Sequence, residues 1–305
     1  MLAKCPQDGC GLIWLDPMPL AEDIGTAYAE YYTHAAPLPH HGLSALFAAA
    51  RRGYLAAMWG YGSGIGPARK LLGLLPFLYP GRRTDLDFSV MWLEPRAMGR
   101  LLDIGAGGGE LVGRMCDLGW RAEGLDFDVQ AVRAARARGL VMHEGGLPEQ
   151  RFAAESYDAV TMCHSLEHVH DPLAWLAEAR RILRPGGRLA IATPNSRSLL
   201  HRRFGQYWFA LDPPRHLHLF NRDALSALLR KAGFADFRVF TSVRDARGAW
   251  RGSRAIRGSG RFDMTARPGA ALRIAGQAVQ FLEFMVSLAD ADAGEDLVAL
   301  AERTA

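Results

Sequence analysis

The chain has 305 residues, of which 49% are hydrophobic and 22% charged, and its formal net charge is +4. This length and composition are typical of one large folded domain with an appendage, which excludes a disordered or fibrous chain. Four scattered cysteines exclude a disulfide scaffold, and no apolar run reaches the roughly 18 residues that suggest a membrane span. We therefore expect a cytoplasmic protein, with peripheral membrane contact as the alternative. The basic residues are interspersed and form no recognised motif, so no nucleic-acid partner is expected.

Residues 1–97 differ from the remainder in composition, with aromatic and apolar segments rich in Gly and Pro. They are predicted to form an N-terminal extension with helices and a lid. The extension begins with two cysteines, Cys5 and Cys10, in a segment that resembles half of a zinc ribbon. A tetrahedral zinc site needs four ligands, and only two are present here. Three nearby histidines could complete such a site, namely His34, His40 and His41. We nevertheless expect no metal.

Residues 98–196 alternate short apolar runs with helical patterns, which is typical of β-α-β units in a parallel sheet. Asp128, Asp171 and Asn221 each precede a helical pattern and are expected to cap it. The pattern predicts strands at 101–104, 122–125, 140–143, 157–163, 188–192 and 237–241, with helices at 110–118, 128–138, from 172 to before 185, and from 221 to 233.

Residues 243–294 are predicted to form a helical insertion before a last strand at 297–301. The insertion combines scattered arginines with an amphipathic helix over 270–288. The apolar stripe of this helix consists of Leu272, Ala275, Val279, Leu282 and Val286. We expect the stripe to pack onto the domain, with membrane contact as the alternative, because Phe281, Phe284 and Met285 widen it.

A glycine-rich turn follows the strand at 101–104, and an acid follows the next strand. Glycines let a backbone approach a ligand closely, and Asp126 lies at the spacing expected of a carboxylate that binds a ribose diol. Asp103, just before the turn, suits a ligand that carries an ammonium group. Glu110 stands where the dinucleotide fingerprint has its third glycine, which disfavours a pyrophosphate. The pattern therefore favours S-adenosylmethionine, with a nicotinamide-dependent oxidoreductase or a non-catalytic nucleotide-binding protein as alternatives.

Five motifs in order carry a resemblance to a known family. They are LLDIGAGGGELV, EGLDFD, SYDAVTMCHSLEHVHDP, ILRPGGRLAIATPN, and DPPRHLHLFNRDAL followed by KAGF. Together they resemble class I S-adenosylmethionine-dependent methyltransferases over about residues 98–242, in the branch that includes ubiquinone-type O-methyltransferases and many natural-product methyltransferases. The resemblance implies a Rossmann-like, doubly wound sheet of seven strands, mostly parallel, in which the last strand is antiparallel.

The resemblance also implies the cofactor site. Carried over by position, the residues expected at S-adenosylmethionine are Asp103, Gly105, Ala106, Gly107, Gly109, Asp126, Phe127, Gly146, Leu147, Cys163 and His164. The implied reaction is transfer of a methyl group to an oxygen or carbon atom of a small-molecule or lipid-like acceptor.

A base is needed only if the acceptor must lose a proton. The predicted candidates are His168, His164 and His216, with Glu167 and His218 also within the relevant segments. For each of these residues a purely structural role remains the competing interpretation.

Overall fold

A computed structural model describes residues 1–7, 9–20, 23, 44–62, 66, 71–96, 99–264 and 266–304. The strands are β1 (Leu2–Lys4), β2 (Ile13–Leu15), β3 (Arg100–Ile104), β4 (Arg121–Asp126), β5 (Val141–Glu144), β6 (Tyr157–Cys163), β7 (Leu183–Pro194), β8 (His218–Leu219), β9 (Asp236–Ser242) and β10 (Asp296–Glu302). The helices are α1 (Ser44–Met58), α2 (Pro80–Phe88), α3 (Glu110–Asp117), α4 (Val129–Ala137), α5 (Pro172–Ile182), α6 (Leu199–Phe204), α7 (Arg222–Lys231), α8 (Ala246–Ser259) and α9 (Ala270–Ser287). Short 3-10 turns lie at Leu75–Leu78, Pro148–Gln150, Leu166–His168, Gly205–Tyr207 and Phe209–Leu211.

Seven strands form one sheet in the order β5-β4-β3-β6-β7-β10-β9. The strands from β5 to β7 run parallel, whereas β10 lies between β7 and β9 and is antiparallel to both. This arrangement confirms the predicted seven-stranded fold with an antiparallel last strand. Two apolar clusters cover the sheet, one including side chains of α5 and α7 and the other including side chains of α3 and α4. Burial on both faces explains why these strands read as continuous apolar runs.

Each predicted helix cap is present in the structure. The Asp128 carboxylate accepts from the backbone N–H groups of Gln130 and Ala131, and Asp171 and Asn221 each accept from one backbone N–H in the first turn of their helices. These bonds satisfy N–H groups that have no partner within the helix. The local signals therefore place α4, α5 and α7 at the positions expected from the sequence.

The strand register places the connections that follow β3, β4, β5, β6, β7 and β9 at one edge of the sheet. The parallel strands β3, β4 and β6 end there at Ile104, Asp126 and Cys163. Antiparallel β10 begins at the same edge, because Asp296 pairs with both Pro194 and Ser242. Ligands of open α/β sheets bind at the carboxyl ends of the strands, so this edge positions the candidate site.

The predicted insertion forms α8 and α9. Helix α9 packs against α8 and α2, as the expectation of packing onto the domain requires. Its most buried residues are Gly276, Gln280 and Glu283, whereas Leu282 is 57% exposed. The prediction that Leu282 faces the core is therefore wrong, because the polar side chains of Gln280 and Glu283 occupy the buried face. The other members of the predicted stripe are partly buried.

Strands β1 and β2 form a hairpin that pairs with β8, so the start of the chain lies on the body that follows residue 98. Cys5 and Cys10 are free thiols in the connection between the two strands. Within the described ranges, neither belongs to a cluster of three or more ligands suited to a metal. The histidines His34, His40 and His41 lie outside the described residues. The boundary at residue 97 stays a prediction.

None of the helices in the described ranges is both long and apolar enough to cross a bilayer.

Candidate active site

The glycine-rich turn connects β3 to α3. Gly105, Gly107 and Gly109 all have positive φ, at 75°, 50° and 77°. The backbone N–H of Gly105 donates to the carbonyl oxygen of Leu125, at 2.8 Å, which ties the turn to the neighbouring strand. A Cβ at Gly105 would lie 2.4 Å from the Cβ of Ser165. Both the left-handed backbone and this close approach require glycine here.

Asp126 ends β4 with its carboxylate directed at the glycine turn. Its Oδ2 accepts from the backbone N–H of Gly107 at 2.6 Å, and its Oδ1 accepts from that of Asp128 at 2.8 Å. Burial raises the pKa of this carboxyl, although the two backbone donors favour its charged form. A third backbone N–H, that of Phe127, also favours the charged form. A carboxylate offers about four lone-pair sites, so capacity for a further donor remains.

Asp103 lies in β3, one strand away, and is 2% exposed. The hydroxyl of Thr161 donates to its Oδ1 at 2.7 Å. Burial, with a contribution from Asp126, raises the pKa of Asp103 to about 7. Such a group is held between its two protonation states at neutral pH, and a nearby cation favours the ionised form.

The other residues predicted at the cofactor lie around this turn. Phe127 is 47% exposed at the tip of β4, whereas Leu147 is fully buried in the main apolar cluster. Gly146 precedes Leu147, and a Cβ there would lie 2.4 Å from the carboxylate of Glu149. Ala106 packs partly buried inside the turn. All of these residues lie at the predicted edge of the sheet, and their contact with a cofactor stays a prediction.

Cys163 is the last residue of β6, and His164 follows it. Burial raises the pKa of the Cys163 thiol to about 11, so the thiol remains protonated and is no nucleophile at neutral pH. His164 has a left-handed backbone, with φ of 49°. Its imidazole lies between two carboxylates, because Nδ1 is 3.4 Å from Glu167 Oε1 and Nε2 is 3.4 Å from Asp245 Oδ2.

This arrangement determines the charge of His164. Burial favours the neutral ring, but Asp245 and Glu167 outweigh it and raise the pKa of His164 well above its ordinary value. Burial also opposes ionisation of Glu167, yet His164 and two further histidines lower the pKa of Glu167 to about 2. A third carboxylate, that of Asp296, has its Oδ1 3.9 Å from His164 Nε2. The ring is therefore an imidazolium at neutral pH.

His168 and His216 lie together near Glu167, with ring centroids 4.7 Å apart. The Nδ1 atoms face carbonyl oxygens, that of Arg215 for His168 and that of Ala210 for His216. An Nδ1 next to a carbonyl is the protonated nitrogen, so in each neutral ring the lone pair lies on Nε2. Burial, and then His168, lower the pKa of His216 to about 4.

Two groups of side chains in the described residues have the ligand types and spacing to hold a metal ion. One ligand atom each from Glu167, His168 and His216 lies within 4.8 Å of the others. The same holds for His164 with Asp245 and Asp296. His218 joins neither group. It pairs through β8 with the N-terminal hairpin, and its ring stacks 6.0 Å from that of Phe220.

Arg244, Asp245 and Asp296 were not predicted as site residues. Asp245 precedes α8, and Asp296 opens β10, so tertiary structure alone brings them to His164. The Arg244 guanidinium lies 3.6 Å from the ring centroid of Phe88 and 2.8 Å from the Asp245 carboxylate. Arg244 and Asp245 closely follow the end of β9, and Asp296 begins β10. Their position at the ligand-binding edge of the sheet was the signal that could have identified them.

Comparison with known proteins identifies the family. A family model described as a methyltransferase domain matches residues 81–239, which is more than half of the chain. The chain belongs to the methyltransferase domain family. This membership confirms the family predicted from the sequence motifs and disfavours the nicotinamide-dependent alternative.

Curated relatives of this methyltransferase domain include ubiquinone biosynthesis O-methyltransferases. That of Xanthomonas oryzae pv. oryzae is 36% identical over 139 residues, which cover 43% of this chain and 54% of the relative. That of Cereibacter sphaeroides is 35% identical over 146 residues, which cover 44% and 59%. The chain thus spans little more than half the length of these relatives.

Solved structures share the fold. A methyltransferase from Thermotoga maritima superposes with a TM-score of 0.50 at 19% identity, covering 83% of this chain and all of that one. Phosphoethanolamine N-methyltransferase 2 of Haemonchus contortus has a TM-score of 0.52 at 18% identity, covering 84% of this chain and 60% of that one. At this identity the likeness establishes the fold alone.

Proposed function

We propose that the protein transfers the methyl group of S-adenosylmethionine to a small-molecule acceptor. The observation that carries the proposal is the Asp126 carboxylate, which two backbone N–H groups orient at the glycine turn. Asp103 places a second carboxyl on the adjacent strand. A ligand with a vicinal diol and an ammonium group fits these two acids, and nothing in the fit requires a phosphate.

The residues of the turn also fit the cofactor by their burial. The Ser165 hydroxyl is buried beside Gly105 and, among the described residues, has no hydrogen-bond partner. Asp103 accepts from Thr161, and a bound cation would favour the ionised form of this buried carboxyl. We propose that Asp126 binds the ribose and that Asp103 and Ser165 face the methionine part, with Phe127 and Gly146 flanking the adenine.

When bound, S-adenosylmethionine supplies an activated methyl group for in-line displacement by an acceptor atom. The protein holds the acceptor and removes its proton where necessary. We propose His168 as the base, because its Nε2 carries the lone pair and Glu167 stabilises the charged ring. His164 already carries its proton, so its role is to position Glu167 and Asp245. The ring of His216 is too weakly basic for the same task.

The acceptor is proposed to be a hydroxyl on an apolar or lipid-like molecule, with carbon as the alternative atom. Two observations support this choice. The curated relatives are named as O-methyltransferases of ubiquinone biosynthesis. Aromatic side chains also flank the site, since Phe88 lies 6.3 Å from His164 and 6.1 Å from Trp92 between ring centroids.

The test combines ligand binding with product analysis. Isothermal titration should give saturable binding of S-adenosylhomocysteine and none of NADH. Incubation with S-adenosylmethionine and a panel of phenols and catechols, with and without polyprenyl tails, should give a methylated product by mass spectrometry. Absence of S-adenosylhomocysteine binding would overturn the proposal, and selective binding of NADH would revive the oxidoreductase alternative.

The role of His168 has its own test. We expect His168→Gln to lower kcat by about 100-fold or more while leaving the Kd of S-adenosylhomocysteine unchanged. His170→Gln is the matched control, because its Nε2 bonds to the carbonyl oxygen of Pro19 in the N-terminal segment. Equal kcat in the two variants would exclude His168 as the base without touching the cofactor assignment.

A further inference from the structure

Helix α9 buries polar side chains and exposes apolar ones, the opposite of an ordinary surface helix. Its buried face centres on Gln280 and Glu283, both fully buried. The amide of Gln280 donates to the carbonyl oxygens of Val243 and Arg244, and Glu283 accepts from the backbone N–H of Glu295. The outer face is apolar, with exposed fractions of 66% for Ile274, 49% for Phe281, 57% for Leu282, 47% for Met285 and 67% for Leu288.

A second exposed apolar segment is joined to this helix by a hydrogen bond at its end. Residues 71–78 expose Leu71, Leu74, Leu75, Phe77 and Leu78, by 66%, 53%, 44%, 43% and 82%. The next residue, Tyr79, donates from its hydroxyl to Gln280 Oε1 at 2.6 Å. The bond joins the end of this segment to α9, and α2, which follows directly, packs against the same helix. We call the ten exposed side chains of the two elements the apolar face. Exposed apolar side chains in this number are typical of an interaction site.

The surroundings of the apolar face are basic. No Asp or Glu occurs in residues 44–84 or 264–282. Of the acids just beyond, Asp85 pairs with Arg247, Glu283 is fully buried, and Asp290 pairs with Arg202. Exposed arginines stand in both stretches, including Arg82 and Arg83 at the start of α2 and Arg273 on α9. The guanidinium of Arg83 lies 5.7 Å from the ring centroid of Phe77, so charge and apolar surface adjoin directly.

We propose that the apolar face docks onto an anionic phospholipid surface. An apolar helix face can enter the boundary between headgroups and acyl chains, while flanking arginines contact the negative headgroups. If two copies paired symmetrically through this face, the arginines around it in one copy would face those of the other copy and repel them. Residues 44–84 and 264–282 contain no acid that could pair with these arginines. The charge pattern therefore favours a lipid surface over a second copy of the chain. The proposal does not depend on the acceptor.

Vesicle sedimentation tests the proposal with the full chain. The probes are vesicles of phosphatidylcholine alone and of phosphatidylcholine mixed with phosphatidylglycerol, at low and high salt. The apolar variant is the double substitution Phe281→Gln and Met285→Gln, and its control is Val141→Gln, which is 55% exposed on edge strand β5. The charge variant is Arg273→Glu, and its control is Arg133→Glu, exposed on α4.

We expect the protein to pellet with the phosphatidylglycerol vesicles and to be released by salt. Arg273→Glu and the double variant should each lower the partition coefficient by about tenfold, whereas both controls should match the wild type. Equal pelleting with neutral vesicles, no pelleting, or equal effects of the controls would overturn the proposal. Concentration-dependent dimerisation that the double variant abolishes would assign the face to a second copy instead. Binding of S-adenosylhomocysteine, measured on the same samples, separates these outcomes from failure of the proposed function.

Discussion

Substitution of Asp126 by Asn tests the cofactor site most directly. Burial raises the pKa of this carboxyl, so its ionised form at neutral pH destabilises the fold rather than supporting it. The asparagine keeps the shape of the side chain but replaces one acceptor by a donor. That donor would face the backbone N–H of Gly107 or Asp128.

The expected loss follows from the hydrogen bonds concerned. Each bond from a ribose hydroxyl to a charged acceptor contributes about 1.5–3 kcal/mol, and the asparagine weakens one bond and removes the other. A total loss of about 3 kcal/mol corresponds to a Kd raised about 100-fold, since about 1.4 kcal/mol is a factor of ten. Isothermal titration with S-adenosylhomocysteine measures this change.

Asp117→Asn is the matched control, because Asp117 is an exposed acid at the far end of α3 and its loss changes the net charge equally. Thermal unfolding without ligand checks that the Asp126→Asn fold is intact. If Asp126→Asn remained folded and bound S-adenosylhomocysteine with the affinity of the wild type, the assignment of the ribose site would be refuted.

Three further predictions concern the same edge of the sheet. The pKa of Asp103 is about 7, and a bound ammonium favours its ionised form. Cofactor affinity, measured by isothermal titration, should therefore rise by up to about tenfold as the pH increases through 7. The Asp103→Asn variant should not show this rise. Glu167→Gln should lower the free energy of unfolding in urea by about 3 kcal/mol at pH 7, because the folded pKa of about 2 lies below the ordinary 4.5. This stabilisation is complete above pH 4.5 and is lost as the pH falls through 2. The control Glu144→Gln, at an exposed position at the end of β5, should change little. Gly105→Ala should destabilise the protein by about 1–3 kcal/mol more than Gly119→Ala, since both positions have positive φ but only the first would meet a neighbouring side chain. Equal thermal shifts for the two alanine variants would contradict the packing argument.

The order of strands β3 to β7 and of the helices between them was predictable because its signals are local, whereas the hairpin β1–β2 and strand β8 were not predicted. Apolar runs, the acids that cap α4, α5 and α7, and the glycine turn each act within a few residues of their own position. The same signals place Asp103 and Asp126 at adjacent strand ends, so the candidate cofactor site follows from the sequence. The resemblance to a family supplied the antiparallel last strand, which the periodicity alone does not encode.

Tertiary structure decided the parts of the site that depend on distant segments. His164 and Asp245 are 81 positions apart, and their approach depends on β9 and α8 reaching the edge where β6 ends. The charge of His164 follows from that approach and could not be predicted from its neighbours in the chain. The buried face of α9 is a similar case. The side-chain amide of Gln280 can be buried there because it hydrogen-bonds to the Tyr79 hydroxyl and to two backbone carbonyl oxygens. A sequence fixes which groups a helix carries, but the partners available in the folded chain decide which of its faces is buried.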